Sequence, residues 1–162
     1  MTTANTLSSD ALSIWQSGVD AVRPEVLIPR VLRVEDETLC IRDRKIVLSD
    51  WDRIVVMGGG KAGAAMASAV IDTLGPTLCR DKLMGWVNVP ENCAQEMEFI
   101  HLHGARPAGV NEPTAAGVTG TQQILKLARS CGKRDLCLIL ISGGGSALMP
   151  APVEGIPLAD KQ

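Results

Sequence analysis

Two glycine-rich stretches hold the residues best suited to chemistry. The first, Met57-Gly58-Gly59-Gly60-Lys61-Ala62-Gly63, follows the apolar run Ile54-Val55-Val56 and leads into an alanine-rich segment. That order reads as strand, tight turn and helix N-terminus. Backbone N–H groups and the positive end of a helix dipole converge at such a junction, which suits an anion. Gly58, Gly59 and Gly60 let a ligand approach the backbone closely, and Lys61 adds a mobile full charge. The second stretch, Ser142-Gly143-Gly144-Gly145-Ser146, follows the run Leu136-Cys137-Leu138-Ile139-Leu140-Ile141. Its serines and glycines offer hydroxyl and backbone donors together, the composition of an oxyanion or phosphate cradle. A third cation, Arg106, falls in a Gly- and Pro-rich segment. It reads equally as an anion ligand or as a surface residue.

Several familiar patterns can be tested against these stretches. Gly58-x-Gly60-x-x-Gly63 satisfies the dinucleotide-binding spacing in the required strand–turn–helix context. The full fingerprint also needs an acidic residue about 20 positions on, at the end of the next strand. Asp81 stands before that strand and Glu91 too far along, so a nicotinamide site is incomplete. The phosphate-loop pattern fails because Ala62 occupies the Ser/Thr position. Neither Ser142 nor Ser146 has the G-x-S-x-G spacing of a nucleophile elbow. His101 and His103 share one face of a strand and read as a base, a metal pair or hydrogen-bonded strand-end residues. No carboxylate or cysteine sits at ligand spacing beside them, so no metal site is assigned.

The elements that must position these loops follow from periodicity and punctuation. A helix is expected from about Ser8 to Val22, with Leu12, Trp15, Val19 and Val22 on one face and Pro24 as its stop. A short helix over residues 25–32, bent by Pro29, comes next. Residues 38–41 and 45–48 form a small β-hairpin, and residues 49–52 turn into the central strand. A helix over 62–74 ends at Gly75-Pro76. Strands follow at 83–89 and 97–102, then a loop over 103–113 that contains Arg106. A helix runs from Pro113 to about Ser130, capped by Gly132. The apolar run at 136–141 reads as a strand buried on both faces, as in a parallel sheet. The whole is an α/β, three-layer, Rossmann-like domain: a mostly parallel sheet with helices on both faces and a small N-terminal β-hairpin. In such sheets the loops at strand C-termini form the ligand crevice. If the two loop-bearing strands are neighbours, both glycine loops face one ligand.

Composition narrows the function classes. The 162 residues carry a net charge of -2 and are 46% apolar, enough for one core. Charges are scattered and aromatics number only three Trp and one Phe, so a nucleic-acid surface is not expected. No apolar run approaches the ~20 residues of a membrane span, and the first residues lack a secretory pattern. Five cysteines without paired spacing fit a reducing cytoplasm better than a disulfide framework. The oligomeric state stays open, a homo-oligomer included. Residues 150–162 read as a loop leading to a further helix, and the chain is expected to be part of a longer protein.

Taken together, Val55-Val56-Met57-Gly58-Gly59-Gly60-Lys61-Ala62, Arg106-Pro107 and Leu140-Ile141-Ser142-Gly143-Gly144-Gly145-Ser146-Ala147-Leu148 resemble glycerate 2-kinases of the two-domain type with a C-terminal MOFRL domain. Ala11, Trp15 and Ala21-Val22-Arg23-Pro24 fit as well. Members have often been labelled hydroxypyruvate reductases. The resemblance covers nearly all of this chain but only the N-terminal part of the family's length. It implies ATP-dependent phosphorylation of the 2-hydroxyl of D-glycerate, with Mg2+, in a cleft between two domains. It makes Lys61 an active-site lysine and the 142–146 loop a binder of substrate or phosphate. The family usually carries His-Pro where this chain has Arg106-Pro107. Its C-terminal domain and a later catalytic arginine would lie beyond residue 162, so these residues alone are expected to be inactive. The alternatives are a nicotinamide-dependent hydroxypyruvate reductase and a non-catalytic nucleotide- or anion-binding module.

Overall fold

A computed structural model describes residues 3–162, with side chains from residue 6 onward. Two helices open the chain, α1 (Thr3–Ala21) and α2 (Pro24–Val31). Strands β1 (Leu32–Glu35), β2 (Thr38–Ile41) and β3 (Arg44–Val47) form an antiparallel sheet in that order. The expected hairpin is present, with β1 added to it. The parallel sheet comprises β4 (Arg53–Gly59), β5 (Leu83–Pro90), β6 (Ile100–Arg106) and β7 (Asp135–Ile141), ordered β6-β5-β4-β7. Helix α3 (Gly63–Leu74), α4 (Pro76–Lys82), α5 (Ala115–Ser130) and the short α6 (Gly145–Leu148) complete it. No helix among the described residues is long and apolar enough to cross a membrane.

Side-chain alternation along the strands assigns the two faces. Ile54 and Val56 of β4, Val87 and Val89 of β5, and Ile100 and Leu102 of β6 point to the main core. They pack there with Ala67, Val70 and Leu74 of α3 and with Leu32 and Leu39 of the antiparallel sheet. Helix α3 comes close because Gly63 lacks a side chain; a Cβ there would lie 2.9 Å from Val87 and 3.0 Å from Val89. Helix α5 covers the opposite face over β5 and β6. Gly120 makes that possible, since a Cβ would meet Asn88 Oδ1 at 2.3 Å. The three-layer α/β arrangement is therefore as expected.

Five local expectations are corrected. Helix α1 begins at Thr3 rather than near Ser8, and its apolar stripe stays open, with Trp15 62% exposed. Pro76 does not merely end α3 but opens α4, taking the N1 position where its missing N–H costs nothing. Strand β6 runs three residues past His103 to Arg106. Helix α5 is capped at its start by Thr114 Oγ1, which accepts from Gly117 N at 3.0 Å. Cys131 rather than Gly132 closes it. Strand β7 is an edge strand with one face uncovered: Leu140 is buried, while Ile139 and Ile141 are 58% and 55% exposed. An unbroken apolar run says that a strand can be buried twice, and α5 reaches β5 and β6 but leaves the outer face of β7 open.

The β4–β7 pair is clamped at its N-terminal end. Arg53 Nε donates to Asp135 Oδ1 at 2.8 Å and Nη2 to Oδ2 at 2.6 Å, a two-pronged fork. Gly132 N also donates to Oδ2 at 2.6 Å. The guanidinium first, and then that amide, hold the Asp135 carboxyl down at about 2, against an ordinary 3.8. Arg53 and Asp135 are direct register partners, so the fork fixes the alignment of the two strands whose far ends carry the glycine loops.

Candidate active site

Because β4 and β7 are hydrogen-bonded neighbours, with Gly59 opposite Ile141, the two glycine loops leave the sheet side by side. They are bonded to one another. Lys61 N donates to Gly143 O at 2.9 Å and Ala62 N to Ser142 Oγ at 3.0 Å, while Ser142 N reaches Gly59 O at 3.4 Å. Gly60 N donates to the carbonyl of Asn88 in β5 at 3.1 Å.

These bonds divide the labour between the loops. Gly58 and Gly59 lie within β4 and all three glycines are buried. Gly58 makes room for β7 and Gly60 for the second loop: a Cβ on Gly58 would fall 1.9 Å from Leu140 O, and one on Gly60 2.1 Å from Ser142 Oγ. The N–H groups of Gly60, Lys61 and Ala62 are all used inside the protein. In the second loop, by contrast, the N–H groups of Gly143 and Gly144 donate to no protein acceptor among the described residues, so they are open to a ligand. Ser142 Oγ serves the start of α3. Gly145 is buried and Ser146 is exposed.

The cations gather beside the second loop. Gly144 adopts φ 84°, a left-handed conformation natural to glycine. A Cβ placed on it would lie 3.4 Å from Lys61 Cε and 3.5 Å from Arg106 Nη2, so both side chains border the same spot. Lys61 is exposed. Arg106 is the last residue of β6, not part of a loop, and is only 2% exposed. Its Nε has no hydrogen-bond partner. Lys61, Arg106, Asn92, Asn111, Cys93, Pro90, Ala108 and Gly109 line a cavity of about 250 Å³ that contains no carboxylate. A larger groove of about 710 Å³ runs along residues 94–102, but it carries Glu96 and Glu98 and no Lys or Arg. Charge, not size, selects the smaller cavity for an anion.

Asn88 is a further site residue with no motif to mark it. It is fully buried on the α5 side of the sheet. Its Nδ2 donates to Leu148 O at 2.8 Å, Trp86 Nε1 donates to its Oδ1 at 3.0 Å, and its carbonyl holds Gly60 N. One residue thus ties the first loop to the end of the second. A polar residue between Val87 and Val89 was the available signal. His101 and His103 stack beside Trp86 with ring centroids at 4.0 and 5.4 Å. His103 Nε2 pairs with Ala116 O at 2.9 Å, a hydrogen-bonded role, though from within β6 and not from its end. No group of three or more His, Cys, Asp or Glu able to hold a metal occurs among the described residues.

Residues 10–162 match the family model described as Domain of unknown function (DUF4147). The chain belongs to that family. The match agrees with the resemblance read from the loops, since the relatives carry the kinase name. A glycerate kinase from Rattus norvegicus is 32% identical over 175 residues, covering 100% of this chain and 32% of its own length. A D-glycerate 2-kinase from Thermotoga maritima is 28% identical over 152 residues, covering 94% and 32%. The crystal structure of the PH0495 protein from Pyrococcus horikoshii OT3 superposes with a TM-score of 0.77 at 26% identity, covering 95% of this chain and 33% of that one. The chain therefore spans about a third of the length of these relatives.

Proposed function

We propose that this DUF4147 chain forms one wall of the active site of a glycerate 2-kinase, in which ATP phosphorylates the 2-hydroxyl of D-glycerate. The observation that carries the reading is that Lys61 and Arg106 line one small carboxylate-free cavity, with Gly144 of the second loop lying against both cations. Phosphoryl transfer requires positioning and neutralisation of charge more than covalent chemistry from the protein. Lys61 is placed to meet the charge on the transferred group, and fixed backbone donors add electrostatic support without reorganisation. On this reading a further part of the longer protein closes the cleft, in keeping with relatives about three times as long. These residues alone are then inactive.

The reductase reading is weaker on geometry. A dinucleotide turn presents its N–H groups to a pyrophosphate, whereas those of Gly60, Lys61 and Ala62 are already bonded within the protein. Asp81 lies exposed in α4, not at a strand end. Magnesium does not fit this cavity, which supplies no carboxylate; no step is assigned to it here. We assign the protein to the cytoplasm, where its five free thiols persist.

The test is a pair of assays on the full-length protein: ATP with D-glycerate, and NADH with hydroxypyruvate. Formation of 2-phosphoglycerate in the first supports the kinase. Turnover only in the second overturns it, and ATP binding without turnover in either leaves a binding module. Lys61→Ala is expected to lower turnover by at least about a hundredfold with little change in Tm. Near-normal turnover would remove Lys61 from the mechanism.

A further inference from the structure

Arg106 is arranged unlike any other cation in the chain. The remaining arginines either pair with a carboxylate or reach solvent. Arg106 is almost wholly enclosed, has a bare Nε and enters none of the ion pairs among the described residues. A guanidinium taken out of water with no counter-ion is among the least favourable groups to bury. Strand β6 ends at it and so places it in the cavity, whose lining adds Lys61, two amides, Asn92 and Asn111, and no negative charge. An enclosed, unpaired cation in a cavity that also holds Lys61 and no carboxylate is a receptor for an anion.

Size and shape say which anion. Pockets for drug-sized ligands span roughly 300–1,000 Å³. At about 250 Å³ this one falls below that range and will not hold a whole nucleotide. The planar guanidinium fork matches the two oxygens of a carboxylate. The neighbouring amides suit hydroxyl groups.

We infer that Arg106 is the carboxylate-binding residue of the acceptor site: it holds a small hydroxy acid by its carboxylate at the enclosed end of this cavity. The free end of that acid then points toward Lys61 and the Gly143–Gly144 amides, where a phosphoryl group arrives. The inference rests on the kinase reading for the identity of the acid, but not for the existence of the subsite.

The experiment measures binding to the full-length protein by calorimetry and by thermal shift at fixed ionic strength. The probes are D-glycerate, lactate, glycerol, inorganic phosphate and ATP. Arg106→Met keeps the length of the side chain and removes its charge. It is expected to leave Tm unchanged or raised, because no protein partner is lost, while weakening D-glycerate by about ten- to a hundredfold. ATP affinity is expected to change by less than about threefold. Glycerol, which lacks the carboxylate, is expected to bind neither protein. Arg106→Lys is expected to recover part of the D-glycerate affinity.

Four results would overturn the subsite. Unchanged D-glycerate binding in Arg106→Met would do so. So would a large fall in its Tm, which marks Arg106 as structural, and so would equal losses for ATP and D-glycerate, which place the guanidinium on the phosphoryl group. A wild-type protein that binds none of the acids or phosphate would also end it. Acid binding that depends on Arg106 without phosphorylation defeats the kinase reading and keeps the subsite. Phosphorylation with an unchanged KM for D-glycerate in Arg106→Met does the reverse.

Discussion

Asn88 is where stability and site geometry are most tightly joined, and Asn88→Ala tests that link. The substitution deletes two side-chain hydrogen bonds, to Leu148 O at 2.8 Å and from Trp86 Nε1 at 3.0 Å, and leaves the backbone bond to Gly60 N in place. Leu148 is fully buried, so its carbonyl is left without a partner. An orphaned buried group costs about 1–3 kcal/mol. Trp86 is only half-buried and water can serve its N–H, so its share falls at the low end. The total is about 2–4 kcal/mol. For a domain of this size each kcal/mol moves Tm by about 2–4 °C, so a fall of roughly 5–15 °C is expected in calorimetry. Trp86→Phe removes only one of the two bonds and is expected to cost about 1 kcal/mol. A double-mutant cycle between the two is expected to show coupling of about 0.5–1 kcal/mol. D-Glycerate and ATP binding are also expected to weaken, because Leu148 ends the segment that begins at Gly143. A fall in Tm below about 2 °C, or strict additivity in the cycle, would refute the role assigned to Asn88.

The glycines separate into two kinds that alanine will distinguish. Gly58→Ala places a Cβ 1.9 Å from the backbone oxygen of Leu140, which forces β4 and β7 apart; a loss of at least about 3 kcal/mol by urea titration is expected. Gly144→Ala meets Lys61 and Arg106 only at contact distance and bears the left-handed φ, so about 1–2 kcal/mol is expected. Its main effect is to occupy the space between the two cations, so D-glycerate binding should fall far more than Tm. The Arg53–Asp135 fork sets an acid limit. With its folded value at about 2, below the ordinary 3.8, the Asp135 carboxyl stabilises the fold fully above about pH 4 and loses that contribution as pH falls toward 2. Asp135→Asn is therefore expected to lower Tm at pH 7 and to converge with the wild type near pH 2. Parallel curves across that window would show that the fork contributes nothing.

Apolar runs and alternation made the strands legible, and small-residue and Pro/Gly punctuation placed α3 and the start of α5. What stayed hidden depended on neighbours distant in the chain. Gly104, Pro107 and Gly109 surround Arg106 and make its segment look like a loop. Gly104 in fact sits within β6, where a Cβ would press on Glu91 at 3.2 Å, so the glycine marks close packing and not a turn. Nothing local shows that Asn88 pairs with a carbonyl sixty positions later. Nor can periodicity tell a strand with two covers from one with a single cover, as the open face of β7 shows.

The same limit governs the glycine loops, and it changes which loop carries the ligand. A Gly-Gly-Gly-Lys run reads as an anion cradle because glycine exposes amides, but glycine equally permits close packing, and composition does not separate the two. Hydrogen-bond accounting does. The first loop's amides at Gly60, Lys61 and Ala62 are bonded to Asn88, Gly143 and Ser142, so that loop contributes the Lys61 side chain and little backbone. The amides of Gly143 and Gly144 have no such partners among the described residues, and Gly144 lies against both cations. The first loop is thus the support and the second the cradle. On the proposed reading that also accounts for the position of the lysine: its own amide fastens the second loop, which keeps its side chain beside Gly144.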